Sequence, residues 1–557
     1  MTTLREPPRR EPDGRGPDGR APDGRAESDG WEPDGQKPDR REPEGRAEPE
    51  GREPDGQEPD SQVPSPTSTP RPPAVARLPF PLVDEISRHC LRDDEPETVH
   101  IEVHLPGRID HTRLRTAFHR ALLRHPRILM RQAPVSWWRR RYEWELTATP
   151  DVDPVVFPPP GPDALVRARE RALTACPPLD ASPPVRLEVV ERHPDAADGT
   201  VLVLTLHHTA LDGPACLRVL ATTAELYGGA DNSPAPPPVR TPERTAPPRH
   251  RAPAARPGLV RPARIAPDHD DPGRPPHPRD HSHTEGPSPV PATVLVTTSA
   301  PVGPTDHTNG MLITELPVPT RPPREDTPAP NTPHAAPRTT PPTVNDQLLV
   351  ATCLTVARWN RLHGRPTRPV IVTMPVDDRP RGGEMPIGNG TRLIPVGFGP
   401  EEQRDADLLA ADPPDPEAVA LLLRRTAART RALKATRGSQ LGLPGTLLTL
   451  PVAPVGLRGA ATRALRTAAA PWTSTTLLSN IGRLPYPLDF GDAGRPTAVW
   501  FSAPARMPRG LTVTTVSVGG RIQLALRWSR ALLDDAAGAR FGALFAASLA
   551  ATEGAAP

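Results

Sequence analysis

The sequence predicts an α+β fold of two-layer lobes, interrupted by long segments that stay outside the packed body. Three observations predict it. Patterns of strand length recur, alternating from Val99 to Leu105 and continuously apolar from Val201 to Leu206 apart from Thr205. Stripes at helical spacing alternate with them. Proline, 84 of 557 residues, concentrates where there is little apolar surface to bury.

Residues 1–75 are the first such segment. The unit Pro-Asp-Gly-Arg recurs at Pro12, Pro17 and Pro22 and then degenerates. Each unit breaks helices and supplies no apolar area to offset roughly 1–2 kcal/mol of backbone entropy per ordered residue. A disordered tail is expected. The N-terminal lobe is assigned to 76–230. Asp110 is placed to cap a helix whose stripe is Leu114, Ala117, Ala121 and Leu122, and His125-Pro126 ends it. A strand pair is expected between Trp137 and Leu146, with Trp137 and Trp138 facing the core and Arg139 to Arg141 in solvent. A helix follows from Ala164 to Ala175, then strands ending near Val190 and Leu206.

Residues 231–290 return to Pro, Arg, His and Asp and read as a disordered insertion. The C-terminal lobe is assigned to 291–550. Strands are expected near Ala292–Thr298, Gly310–Leu316, Val370–Val376, Arg392–Val396 and Thr475–Gly482. Thr343 to Asp346 opens a helix carrying Leu349, Cys353 and Val356. Gly519-Gly520 joins a hairpin, and a last helix from about Asp534 turns Phe541, Phe545 and Leu549 inward.

Composition also excludes classes. A net charge of +2 gives no electrostatic reason for nucleic acid or an anionic membrane as main partner. No run is long and apolar enough to span a bilayer, and no secretory signal is visible, so a cytoplasmic setting is expected. Cys90, Cys176, Cys216 and Cys353 lack the spacing of a zinc site or disulfide frame. His269, Asp270, Asp271, His277, Asp280, His281 and His283 sit in a proline-broken stretch without ligand spacing, and no metal site is expected.

The chemistry concentrates in His207-His208-Thr209-Ala210-Leu211-Asp212-Gly213. A strand delivers two histidines into a loop, and Pro214 suits the first turn of the helix that follows. Leu217, Leu220, Ala224 and Tyr227 then face inward. Imidazole titrates near neutral pH and can take a proton from an attacking nucleophile.

This HHxxxDG pattern resembles the signature of the condensation-domain acyltransferases, relatives of chloramphenicol acetyltransferase. The resemblance runs in order from about 76 to 550. It includes Leu179, Asp180 and Ser182 through Leu187, the motif itself, Thr343 to Asp346, Pro375-Val376-Asp377 with Arg379, Gly388-Asn389, and Ser479 to Gly482. It implies two chloramphenicol acetyltransferase-like lobes in a V, with a tunnel between them. His208 is then the catalytic histidine, deprotonating an amine or hydroxyl that attacks a thioester, or orienting that nucleophile. His207 supports the loop. Asp212 pairs with an arginine of the other lobe, for which Arg379 is the candidate. Gly213 leaves room beside the imidazole. Asp180 and Arg186 hold the fold, and Ser479 and Asn480 line the tunnel or brace a strand.

The activity so implied is amide or ester formation by a stand-alone acyltransferase of secondary metabolism. The donor is an acyl- or peptidyl-carrier protein or acyl-CoA, and the acceptor a small amine or alcohol. No metal or redox cofactor is required. An O-acyltransferase of the wax-ester or polyketide-ester type and a non-catalytic docking platform are the alternatives.

Overall fold

Strand pairing sorts the apolar runs into three sheets. The computed structural model describes residues 76–191, 199–234, 261–269, 293–296, 305–320, 341–379, 386–399, 402, 405–435 and 447–553. The tail 1–75 and most of 231–290, including His277, Asp280, His281 and His283, lie outside the described residues.

The N-terminal lobe is built on β2 (Thr98–Leu105), β5 (Val155–Val156), β6 (Val185–Glu191), β7 (Thr200–His207) and β13 (Ala498–Ser502), in the order β13-β2-β7-β6-β5. Side chains alternate across a strand, and β7 uses both faces. Val201 and Val203 pack on Ala164, Ala168 and Ala172 of helix α3 (Ala164–Thr174). Leu202, Leu204 and Leu206 join the core made with α2 (His111–Arg124) and α4 (Gly213–Gly228). Both β2 and β7 are therefore buried along their whole length. Asp110 caps α2 as expected, its carboxylate accepting the Arg113 amide at 2.7 Å. Helix α1 (Leu82–His89) precedes this sheet. Beside it lies a small sheet of β1 (Arg77–Pro79), β4 (Glu143–Leu146) and β3 (Met130–Gln132).

The C-terminal lobe carries seven strands: β8 (Val294–Val296), β9 (Asn309–Pro317), β10 (Val370–Asp377), β11 (Thr391–Phe398), β12 (Thr476–Arg483), β14 (Leu511–Val518) and β15 (Arg521–Ser529). Their order is β11-β10-β12-β14-β15-β9-β8. Helix α5 (Val344–Leu362) opens with a full capping box between Thr343 and Asp346. Gly519 and Gly520 both take positive φ, +56° and +76°, as a two-residue turn of this hairpin requires. The closing helix Asp535–Ala550 starts on an Asp534 cap and packs Phe541, Phe545 and Leu549 against the sheet.

Three expectations are corrected. First, the boundary between lobes is not a cut in the chain. β13, inside the span assigned to the C-terminal lobe, pairs antiparallel with β2 and completes the first sheet. Its residues are all buried, which an open edge of β2 rewards. Second, Arg261–His269 is not part of a disordered insertion. Ala263, Ile265 and Ala266 are in the second core, and the Trp359 indole and Asn360 amide bond its backbone. One isoleucine, two alanines and paired backbone groups suffice to hold it, despite the flanking prolines. Third, Trp137 and Trp138 are 67% and 61% exposed, in a turn before β4 and not on a strand. The backbone of this turn is bound instead: the Trp137 and Arg139 carbonyls accept the Gly456 and Val455 amides of helix Val455–Ala469.

The lobes are joined through a third, mixed core of Leu173, Val296, Met311, Ile313, Ala498, Trp500 and Ala525. Arg527 of β15 is fully buried beside it. Its guanidinium donates to Asn309 Oδ1 and to the carbonyls of Thr98 and Leu173, so a β15 side chain ties down the start of β2. Burial, with no carboxylate bonded to it, pushes this group down to about 9. Among the described residues no helix is long and apolar enough to cross a membrane.

Helix α4 ends in close contact with the loop after β12. A Cβ on Gly228 would stand 2.5 Å from the Gly491 nitrogen and 2.6 Å from the Phe490 carbonyl carbon. Backbone cannot yield as a side chain can. Gly228→Ala is expected to destabilise the protein by about 1–3 kcal/mol, seen as a lower urea midpoint at pH 7.

Candidate active site

The two histidines part company where β7 ends. His207 is the last strand residue and continues the odd-numbered face, so it is buried. Its Nδ1 accepts the Thr209 amide at 3.2 Å, and burial pushes the ring down to about 4. It is neutral at pH 7 and braces the turn. His208 lies one residue beyond the strand and is half-buried. Its amide donates to the Glu97 carbonyl at 2.9 Å. Its Nδ1 lies 3.1 Å from the Leu211 carbonyl. A carbonyl only accepts, so Nδ1 carries the proton and Nε2 keeps its lone pair. Nε2 has no partner among the described residues. The ring is thus neither sealed in apolar packing nor free on an open face.

The loop's shape is fixed from the other lobe. Asp212 caps α4, with Oδ1 accepting the Ala215 amide at 3.0 Å. Arg379, just past β10, donates through Nη2 to both Asp212 oxygens at 2.8 and 2.7 Å. Both side chains are nearly inaccessible, at 4% and 3%. The Gly390 amide donates to Asp212 Oδ2 at 3.0 Å. A Cβ on Gly390 would stand 2.5 Å from Arg379 Cζ, so glycine is what lets that loop close over the guanidinium. The pairing expected of Asp212 and Arg379 is present.

Asn389 is the residue that sequence reasoning passed over as a turn. Its Nδ2 is 2.9 Å from the Thr209 carbonyl, 3.3 Å from that of His208 and 2.9 Å from Asp84 Oδ1. One side chain of the C-terminal lobe therefore holds the histidine's own backbone. Asp84 also accepts from Trp144 Nε1 at 3.0 Å. Burial outweighs both donors and raises its carboxyl to about 7, and the Asp212 charge adds to the rise. The Gly388-Asn389-Gly390 spacing was the available signal, but a turn sequence does not reveal what its middle residue reaches. Thr209 adds a further tie, its hydroxyl 2.9 Å from that of Ser87 on α1.

Other expected site residues fall elsewhere. A Cβ on Gly213 would meet the Phe501 ring at 3.4 Å and Val99 at 4.0 Å. Gly213 faces β13 and β2, not the imidazole, and the reason given for it is corrected. Asp180 is exposed, not a buried ion-pair partner. The carboxylate beside this segment is Asp151, which accepts the Ser182 amide at 2.8 Å and pairs with Arg131. Arg186 bonds Glu188 at 3.0 Å and holds strand to helix α3 through the carbonyls of Arg171 and Ala175. Asn480 spends its side chain on a bulge in β12. It accepts from the Gly482 amide and the Thr515 hydroxyl and faces Asn345. Ser479 is half-buried next to it. An apolar recess of about 450 Å³ between β9 and the closing helix contains none of these residues.

This fold is similar to that of a solved condensation domain. The condensation domain of the Monacolin K polyketide synthase MokA superposes over 86% of this chain and 99% of that domain, with a TM-score of 0.51 and 14% identity. In sequence the chain is similar to two proteins of Mycobacterium tuberculosis, uncharacterized protein Rv2305 of strain H37Rv and uncharacterized protein MT2362 of strain CDC 1551. Each is 27% identical over 468 residues, which cover 80% of this chain and 93% of the relative. No family profile matches the chain.

Two predictions test this geometry. Arg379→Ala leaves Asp212 buried without its countercharge and is expected to cost about 3–5 kcal/mol in chemical denaturation. Arg379→Lys is expected to recover little of it, because an ammonium cannot also reach the Pro386 and Asp377 oxygens that the guanidinium bonds. The second concerns Asp84. Its folded value of about 7 lies above the ordinary 3.8, so the folded state holds the proton more tightly. That stability is present below pH 3.8 and is lost as pH rises toward 7. Asp84→Asn is therefore expected to gain on the wild type in urea midpoint as pH rises from about 4 to 7. A constant difference across that range would contradict the raised value.

Proposed function

We propose that this protein is a condensation-type acyltransferase that forms an amide or ester from an acyl or peptidyl thioester. The observation that carries the reading is His208. Its Nδ1 is committed to the Leu211 carbonyl, and its backbone is held by Glu97 on one side and Asn389 on the other. An imidazole so fixed keeps one tautomer, and Nε2 is the basic atom.

The reaction follows from that atom. An acceptor amine or hydroxyl approaches with its N–H or O–H toward Nε2. As its lone pair attacks the thioester carbonyl, His208 takes the proton. The tetrahedral oxyanion collapses, the C–S bond breaks, and the departing thiolate takes the proton back from the imidazolium. Arg379 and Asp212 touch none of these atoms; they keep the loop in register. His207, neutral and buried, adds no positive charge beside the base. Acyl transfer changes no oxidation state, so the chemistry calls for no redox group. The donor is carried by an acyl- or peptidyl-carrier protein or by coenzyme A, in a setting of secondary metabolism.

Incubation of the purified chain with acyl-N-acetylcysteamine or acyl-CoA donors, and with matched amine and alcohol acceptors, tests the reading. Product should form with one acceptor class, and His208→Ala should lower its rate by about 10²–10⁴-fold. Full activity in His208→Ala would refute the general-base role and leave the lobes as a binding platform.

A further inference from the structure

Trp137 and Trp138 open a turn whose backbone is bound inward while its side chains stay in solvent. Ser136 accepts the Arg139 amide at 2.9 Å. The Trp137 and Arg139 carbonyls accept the Gly456 and Val455 amides at 3.0 and 2.7 Å. Arg458, itself buried, donates through Nη2 to the Arg140 carbonyl and through Nη1 to that of Thr449, each at 2.6 Å. A Cβ on Gly456 would stand 3.2 Å from Trp137 Cβ, so the small residue lets the helix start close on the turn. The turn and the segment Leu447–Leu457 are therefore one fixed piece of surface.

That surface is apolar and basic at once. The turn supplies two exposed indoles, edge to face with 6.0 Å between ring centroids, followed by the exposed Arg139, Arg140 and Arg141. The bound segment adds Leu447, Leu450, Val452 and Leu457, all exposed. Single apolar side chains on a surface are ordinary, but six held together by backbone bonds mark an interaction site. Among the described residues none of the three guanidinium groups has a carboxylate partner. The carboxylates nearby are engaged, Glu85 by Arg458 at 2.9 Å and Glu143 by Arg77 at 3.9 Å. From 418 to 488 the sequence has no Asp or Glu and ten Arg or Lys, so the aliphatic half brings nothing to repel an anion. The net charge of +2 counts the whole chain and conceals this local excess.

The combination selects the partner. An indole has an apolar body and a polar N–H, which suits the membrane–water interface, and a guanidinium binds phosphate. Nucleic acid would use the arginines but has no use for four exposed aliphatic side chains. A bilayer surface needs no fixed complementary shape and takes indoles, aliphatic side chains and arginines together. We propose that Trp137, Trp138 and Arg139 to Arg141, with the exposed side chains of Leu447–Leu457, form a docking surface for an anionic lipid bilayer. The rings lie at headgroup level and the arginines on lipid phosphates. The chain rests on such a surface, and no helix is asked to cross it. This inference does not depend on the acyl-transfer reading.

Co-sedimentation of the full chain with vesicles tests it, using phosphatidylcholine alone and phosphatidylcholine mixed with phosphatidylglycerol. The wild type should bind the anionic vesicles more tightly, and added salt should weaken that binding. Lipid carrying bromine on its acyl chains should quench tryptophan emission. Replacing Arg139, Arg140 and Arg141 together by Gln should weaken binding to the anionic vesicles roughly a hundredfold, about fivefold for each guanidinium. The double variant Trp137→Ala, Trp138→Ala should lose the quenching. Both variants should melt near the wild-type temperature, since these side chains are exposed. A wild type that ignores vesicles, that binds the two compositions equally, or whose binding and quenching survive in both variants would overturn the proposal. So would a wild type that binds polyuridylate or an acidic protein in place of vesicles.

Discussion

The ion pair between Asp212 and Arg379 is the constraint on which the site depends. Asp212 is buried at the first turn of α4, where it serves as cap, as acceptor for the Gly390 amide and as partner of a guanidinium from the opposite lobe. A buried carboxylate without its countercharge would cost several kcal/mol, so the lobes are not free to drift apart at this point without exposing or stranding it. The loop between His207 and Asp212 is short. Fixing its far end on α4 and its near end on β7 leaves the imidazole little latitude. Asn389 removes what remains by donating to the successive carbonyls of His208 and Thr209.

Arginines make the connection between the lobes elsewhere as well. Arg527 reaches Thr98, Arg506 reaches Glu97, and Arg466 reaches Glu95. All three land on the segment that leads into β2, the strand next to β7. The histidine loop is thereby braced from below by guanidinium groups on backbone carbonyls and carboxylates, and from above by Arg379. A planar, multiply donating head on a long stem suits such a role, because it can satisfy several oxygens of one turn at once.

The strands and helices were legible where one local rule decided them. Thr343 to Asp346 announces a helix start, Gly519-Gly520 a turn, and the apolar run from Val201 to Leu206 a strand. The pairing of Asp212 with Arg379 was legible only through resemblance, since 167 positions separate them and nothing local links them. What stayed hidden was non-local. The apolar run Ala498–Ser502 announces a strand but not the sheet it joins. Trp137 and Trp138 looked like core because aromatic pairs usually are, yet their backbone bonds to a helix start and leaves the rings outside. Arg261–His269 is masked by its prolines, and only Ala263, Ile265 and Ala266 anchor it in the core. Gly213 was read against the imidazole because both lie in one motif, whereas α4 turns it toward Phe501.

The edge strand of the first sheet has a consequence for biosynthesis. Thr497, at the head of β13, donates to the His104 carbonyl across 393 positions of chain. A ribosome delivers residues in order, and domains that are finished early can settle early. Here the first lobe emerges with one side of β2 bare and must wait for nearly the whole polypeptide before that side is covered. Vectorial folding lobe by lobe is closed to this chain, and a fragment ending before β13 would carry an unsatisfied strand rather than a self-sufficient half.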